Sequence, residues 1–281
     1  MIPSARIANL TELITSLEIS PSKTVRSDAT VASAITLLRN SNFEVLRIED
    51  AHEGFSSSRP ITFSGYSIIS KLVELHSSSF RSFLAGSCVE GAMGVGTIGD
   101  RSDIQSLCHV FESTTLGYAL IHDEKRTSGG YIVSVRDLLK LYQKKLISSR
   151  LSVNDIASSP VFYLSRGTRL DATLMEMVRR KFRRVQVLGT KQFVSDAQIL
   201  SHLFGEERMA MISRKPERLL DGVLEDIESI DVQWVNGDSN LADAANLLVS
   251  KKVDCATSEK GVVTPWDLIV KPWRLGELRI N

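Results

Sequence analysis

Gly261-Val262-Val263-Thr264-Pro265-Trp266-Asp267-Leu268-Ile269 decides how this chain is read. A glycine, two β-branched residues, a hydroxyl, two spacers, a carboxylate and two apolar residues describe a strand running straight into a helix. The signature recurs over Tyr131–Leu139, with Ser134 and Asp137 in the hydroxyl and carboxylate positions. It is weaker over Gln192–Leu200 and weakest over Gly65–Val73. With the threonine position as anchor, Ile68, Ser134, Ser195 and Thr264 fall about 65 residues apart, the mark of a repeated small domain.

A second pattern keeps the same beat. Upstream of each anchor lies an apolar series at helical spacing: Val31, Ile35, Leu38; Ile104, Leu107, Cys108, Phe111; Leu170, Leu174, Met177, Val178; Leu241, Ala244, Ala245, Leu248. Such spacing predicts an amphipathic helix of about three turns in each copy. Capping or turn residues precede each one, at Ser27-Asp28, Asp100–Asp103, Gly167-Thr168 and Gly237–Asn240. Strand-like runs follow at 44–48, 117–122, 184–188 and 253–257. Each copy therefore reads helix, strand, turn, strand, helix.

That unit, with its Gly-x-x-Thr-x-x-Asp junction, resembles the cystathionine β-synthase (CBS) domain over about Thr24 to Pro272. The fourth copy matches the family pattern fully, the second and third in part, and the first mainly in its apolar positions. The resemblance implies an α/β fold of α+β repeats: four CBS-type helix-strand-strand-helix units paired into two pseudo-twofold modules. Copies one with two and three with four would form the pairs. The modules would span residues 1–149 (copies at about 24–76 and 95–145) and 150–281 (about 153–204 and 225–273). It further implies a non-catalytic regulator that holds AMP, ADP, ATP or another adenosine derivative in clefts between repeats and signals to a protein partner. Homodimerisation is left open, and no cofactor is expected beyond that ligand.

Composition is consistent with this. With 43% hydrophobic and 24% charged residues, 281 residues suffice for two cores. A net charge of +1 supplies no field for nucleic acid or an anionic membrane. No apolar run reaches bilayer length and the first residues lack a signal-peptide core, so a cytoplasmic, non-membrane protein is expected. Cys88, Cys108 and Cys255 lack Cys-x-x-Cys spacing and the five histidines are scattered, so neither a disulfide framework nor a metal site is expected. No phosphate loop and no nucleophile–histidine constellation is readable, which points away from catalysis.

The junction carries chemistry of its own. Thr264 ends a strand and Pro265 opens a helix, where its missing N–H is harmless. Unpaired N–H groups and the positive end of the helix dipole favour phosphate there. Asp267, one turn on, can accept ribose hydroxyls, and Ser134 with Asp137 offers the same pair. The same spacing is also that of a helix capping box, which needs no ligand. Gly261 holds the family's glycine position, where the second copy has Tyr131. On this register Lys71 and Gln198 replace the acid in copies one and three, predicting one or two nucleotides per chain, at Asp137 and Asp267. Asp267→Ala is then expected to weaken nucleotide binding without unfolding the second module.

In the basic run Arg179–Arg184, the resemblance makes Arg184, with Arg183 behind it, the candidate that reaches phosphate; Lys251 and Lys252 correspond in copy four. The same run reads equally as a helix C-terminus complemented by cations. Trp266 reads as packing rather than a base platform, and Met175, Met177, Met209 and Met211 as core or linker fill. Residues 49–59 read as a polar loop, 77–99 as a linker, and 206–224 as a linker able to form an extra helix. The rival functional reading is a ligand-independent interaction module, or one that binds nucleic acid or oligoadenylate.

Overall fold

The computed structural model describes residues 7–40, 44–49, 60–122, 130–212 and 214–281. The loop expected at 49–59 lies outside them except for Glu49, which ends a strand.

Each copy contains one element more than the sequence pattern showed. A strand of two or three residues, too short to display a period, precedes the long helix and pairs parallel with the strand that follows it. The registers are Thr24↔Arg47, Thr97↔Leu120, Tyr163↔Gln186 and Gln233↔Ala256. The next strand returns antiparallel, with Val45↔Ser64, Tyr118↔Ser134, Arg184↔Ser195 and Ala256↔Val263. A second helix then leaves the sheet: Gly65–Glu74, Val135–Gln143, Asp196–Leu203 and Pro265–Arg274. The unit is strand-helix-strand-strand-helix.

The long helices Val31–Arg39, Ile104–Thr114, Leu170–Arg180 and Leu241–Lys251 bury the apolar series read from sequence. Thr30, Asp103 and Asn240 cap three of them by accepting a backbone N–H bond, each supplying a partner the first turn lacks. The third has Arg169 at that place and no side-chain cap. Thr115, Lys181 and Lys252 end their helices with positive φ, which turns the chain into the next strand. Met177 is buried as expected, whereas Met175 is 56% exposed and fills no core.

The compact units are not the halves 1–149 and 150–281. One unit comprises residues 1–22, 95–161 and 232–281 and so joins copies two and four; the other comprises 23–94 and 162–231 and joins copies one and three. Apolar helix faces explain this. In the first unit Leu107, Phe111, Leu138, Leu141, Leu248, Leu268 and Ile269 share one core. In the second, Ile35, Phe63, Ile68, Leu72, Leu174, Leu200 and Leu203 share the other. No helix of one copy could hide such a face within its own small sheet.

Entry segments are exchanged between successive copies. The helix Leu10–Leu17 precedes copy one but lies on copy two, through Leu10 N–H to Ser102 O (2.8 Å) and Thr11 N–H to Asp100 O (3.0 Å). Residues Val153–Ile156 precede copy three and lie on copy four in the same way, through Val153 to Ser239 O (3.0 Å) and Asn154 to Gly237 O (2.8 Å). Reciprocally, Cys88–Gly91 before copy two lies on copy one, and Leu224–Asp226 before copy four lies on copy three. The expected helix in the 206–224 linker forms as Glu206–Ile212.

Within the first unit the second helices of copies two and four are fastened by Tyr142, whose buried hydroxyl donates to Leu268 O at 3.0 Å. Burial holds this phenol above its ordinary pKa, so it remains a donor across the physiological range. Tyr142→Phe is expected to lower stability by about 1 kcal/mol, the net value of one such bond, measurable as a urea midpoint shift at unchanged slope.

Candidate functional site

Every strand-to-helix junction closes on itself as a capping box, the reciprocal pairing that satisfies two orphan N–H groups. In copy four, Thr264 N–H and Oγ1–H both donate to Asp267 Oδ2, at 2.8 and 2.7 Å, and Asp267 N–H donates back to Thr264 Oγ1 at 3.4 Å. In copy two, Ser134 N–H and Oγ–H donate to Asp137 Oδ2 at 2.9 and 2.7 Å, with the return bond at 3.3 Å. Copy three builds the box from Ser195 and Gln198.

In copy one the box is Ser64 with Ser67, through Ser64 N–H to Ser67 Oγ (2.9 Å) and Ser67 N–H to Ser64 Oγ (3.2 Å). The equivalents of Thr264 and Asp267 are therefore Ser64 and Ser67, four residues before the Ile68 and Lys71 expected from sequence. The strand Ile61–Ser64 ends earlier than the glycine at 65 suggested, because Gly65 opens the helix instead of starting the strand. Ile68 is wholly buried core, and Lys71 pairs with Glu74 on the surface at 3.2 Å.

The two carboxylates differ in what their second oxygen does. Asp267 is 2% exposed, and its Oδ1 accepts from Ser158 Oγ at 2.7 Å and from Lys271 Nζ at 2.8 Å. Lys271 also donates to Ile156 O at 2.7 Å and Ser158 Oγ at 2.9 Å, so three acceptors surround its ammonium. All acceptor positions of Asp267 are thereby occupied by the chain. Asp137 is half-buried, and its Oδ1 has no partner among the described residues. Leu141 stands four residues past Asp137, where copy four has Lys271.

Gly261 lies against the crossing segment: Ser158 and Val262 form an antiparallel bridge, and a Cβ at Gly261 would sit 2.2 Å from Ser158 O. Its role in this structure is close backbone approach. Trp266 packs on copy two, where a Cβ at Gly117 would lie 3.7 Å from its ring. Arg136, at the matching place in copy two, forms an ion pair with Asp254.

Arg183 and Arg184 belong to the other compact unit from Ser134, Asp137, Thr264 and Asp267. Arg183 Nε donates to buried Asp196 at 2.8 Å, with Glu44 3.9 Å away. Arg184 begins its strand opposite Ser195. Lys251 and Lys252 are exposed at a helix end. Sequence reasoning missed Lys271 and Ser158. Lys271 was visible as an i, i+4 partner of Asp267, whereas Ser158, far away in the chain, carried no local signal.

Among the described residues there is no cluster able to hold a metal ion, and no helix is long and apolar enough to cross a membrane. The three cysteines are buried thiols outside any disulfide, and burial pushes the Cys108 thiol up to about 12.

No family model and no curated protein matches the sequence. Solved structures do match. A protein of Methanocaldococcus jannaschii, described as a putative archaeal homolog of g-AMPK, is 18% identical; the match covers 89% of this chain and 95% of that one, with a TM-score of 0.76. An uncharacterized conserved protein of Pyrococcus horikoshii is 14% identical over 91% of this chain and 97% of that one, with a TM-score of 0.52. A CBS domain protein of Pyrobaculum aerophilum, complexed with AMP, is 18% identical over 44% of this chain and 88% of its own, with a TM-score of 0.34.

Proposed function

We propose that this chain, which carries the CBS fold in four copies, is a non-catalytic regulatory protein that binds an adenosine-containing nucleotide and relays its occupancy to a protein partner. The observation that carries this reading is the copy-two junction. Asp137 keeps one carboxylate oxygen unengaged among the described residues, beside a helix start, and that oxygen can accept a ribose hydroxyl. Lys140, one turn further on the same helix face, is half-buried and its ammonium has no partner among the described residues, so it can meet a phosphate oxygen. The fold shared with the M. jannaschii protein supports the architecture of this reading.

A ligand acts as a signal only through unequal affinity for two arrangements of the protein. The rival reading, a ligand-independent interaction module, rests on the observation that every junction is already satisfied as a capping box.

Thermal unfolding with AMP, ADP, ATP, S-adenosylmethionine and oligoadenylate separates the two. A nucleotide at about 100 times its dissociation constant is expected to stabilise the protein by about 2.7 kcal/mol. Asp137→Asn is expected to weaken it at least about tenfold, the low end for a bond to a charged acceptor. No shift with any adenosine compound would leave the interaction module as the reading.

A further inference from the structure

Asp267 and Asp137 occupy equivalent junctions, yet their surroundings are chemically opposite. A carboxylate has about four acceptor positions, two on each oxygen. At Asp267 the capping box takes both positions on Oδ2, and Ser158 and Lys271 take both on Oδ1. The ammonium of Lys271 is saturated in turn by Asp267, Ser158 and the Ile156 carbonyl, all within 2.9 Å. The side chain of Asp267 is 3% exposed and that of Lys271 29% exposed, so the carboxylate end of this network is shielded from water. A ribose arriving at Asp267 would have to remove a half-buried ammonium from its buried counter-ion. At Asp137 the corresponding helical position is Leu141, which has no donor to offer.

We infer that Lys271 is an internal occupant of the copy-four junction: it closes Asp267 to a ribose and straps residues 156–158 onto copy four. The inference rests on the nucleotide reading above and adds a stoichiometry to it. One nucleotide binds per chain, at copy two, and the fully matched motif of copy four serves as a clasp. The best sequence match to a nucleotide motif is thus the one whose acid is already spent. Lys271, invisible to the motif itself, decides between the two uses. Replacing it by an apolar residue returns one acceptor position on Asp267 Oδ1 to an incoming hydroxyl.

Calorimetric titration of the full chain with AMP tests this, using the wild type, Lys271→Leu and Asp267→Asn. Wild type is expected to bind one AMP per chain. Folded Lys271→Leu is expected to bind a second, and Asp267→Asn to keep a single site with affinity within about twofold. Two AMP per wild-type chain, falling to one in Asp267→Asn, overturns the inference and leaves the nucleotide reading standing. A folded Lys271→Leu that still binds only one AMP overturns it too. Should Lys271→Leu not fold, the wild-type count and the Asp267→Asn titration decide. Wild type that binds no AMP, ADP or ATP overturns the nucleotide reading, and the inference with it.

Discussion

Asp267→Ala is expected to cost about 3–5 kcal/mol of stability, the range for breaking a buried ion pair by removing one partner. Three losses combine. The Lys271 ammonium keeps its hydrogen bonds to Ile156 O and Ser158 Oγ but loses its carboxylate partner. Thr264 N–H and Oγ1 lose their acceptor, and Ser158 loses the tie that holds the crossing segment. The partial exposure of Lys271 places the result toward the lower end of that range, because the ammonium can turn toward water. Urea unfolding should show a lowered midpoint with an unchanged slope. This reverses the expectation from sequence, in which alanine would remove a ligand contact and leave the protein standing. A folded Asp267→Ala within about 1 kcal/mol of wild type, and impaired in nucleotide binding, would restore that earlier expectation.

Gly261→Ala is expected to destabilise by about 3 kcal/mol, the upper end for overpacking, although it adds a single methyl. The obstacle is backbone. The new Cβ would stand 2.2 Å from Ser158 O and 2.9 Å from Ser158 C, and no rotamer change moves either atom. The crossing segment would have to lift, opening the hydrogen-bonded pair Ser158 N–H to Val262 O (2.8 Å) and Val262 N–H to Ser158 O (3.1 Å). Gly94→Ala is the control, since a Cβ there meets nothing within 4 Å. Equal effects at the two glycines, measured by thermal unfolding, would show that the bridge at Ser158 is dispensable.

The repeat was legible because it rests on local rules. Helical spacing of Leu170, Leu174 and Met177 and their equivalents needs only a period, and each hydroxyl–carboxylate pair needs only one helical turn. In copy one the same local rules place the junction four residues too late. Gly65 imitated the motif's glycine, while the true box, Ser64 with Ser67, uses two serines that make no distinctive pattern. The short first strands left no trace either, since two or three residues cannot display a period of two.

What the sequence by itself determined is the unit: its length, its long amphipathic helix, its strand-to-helix junction and its fourfold recurrence. Tertiary structure alone decided which copies share a core and which carboxylate remains available. Both outcomes depend on contacts between residues remote in the chain. Apolar helix faces join copy one to three and copy two to four, and the segment holding Ser158 crosses to Val262 and Asp267 from before copy three. A motif states which groups can bond; only the fold states which of them are already bonded, because a carboxylate spent on a neighbouring lysine and one left open are spelled by the same letters.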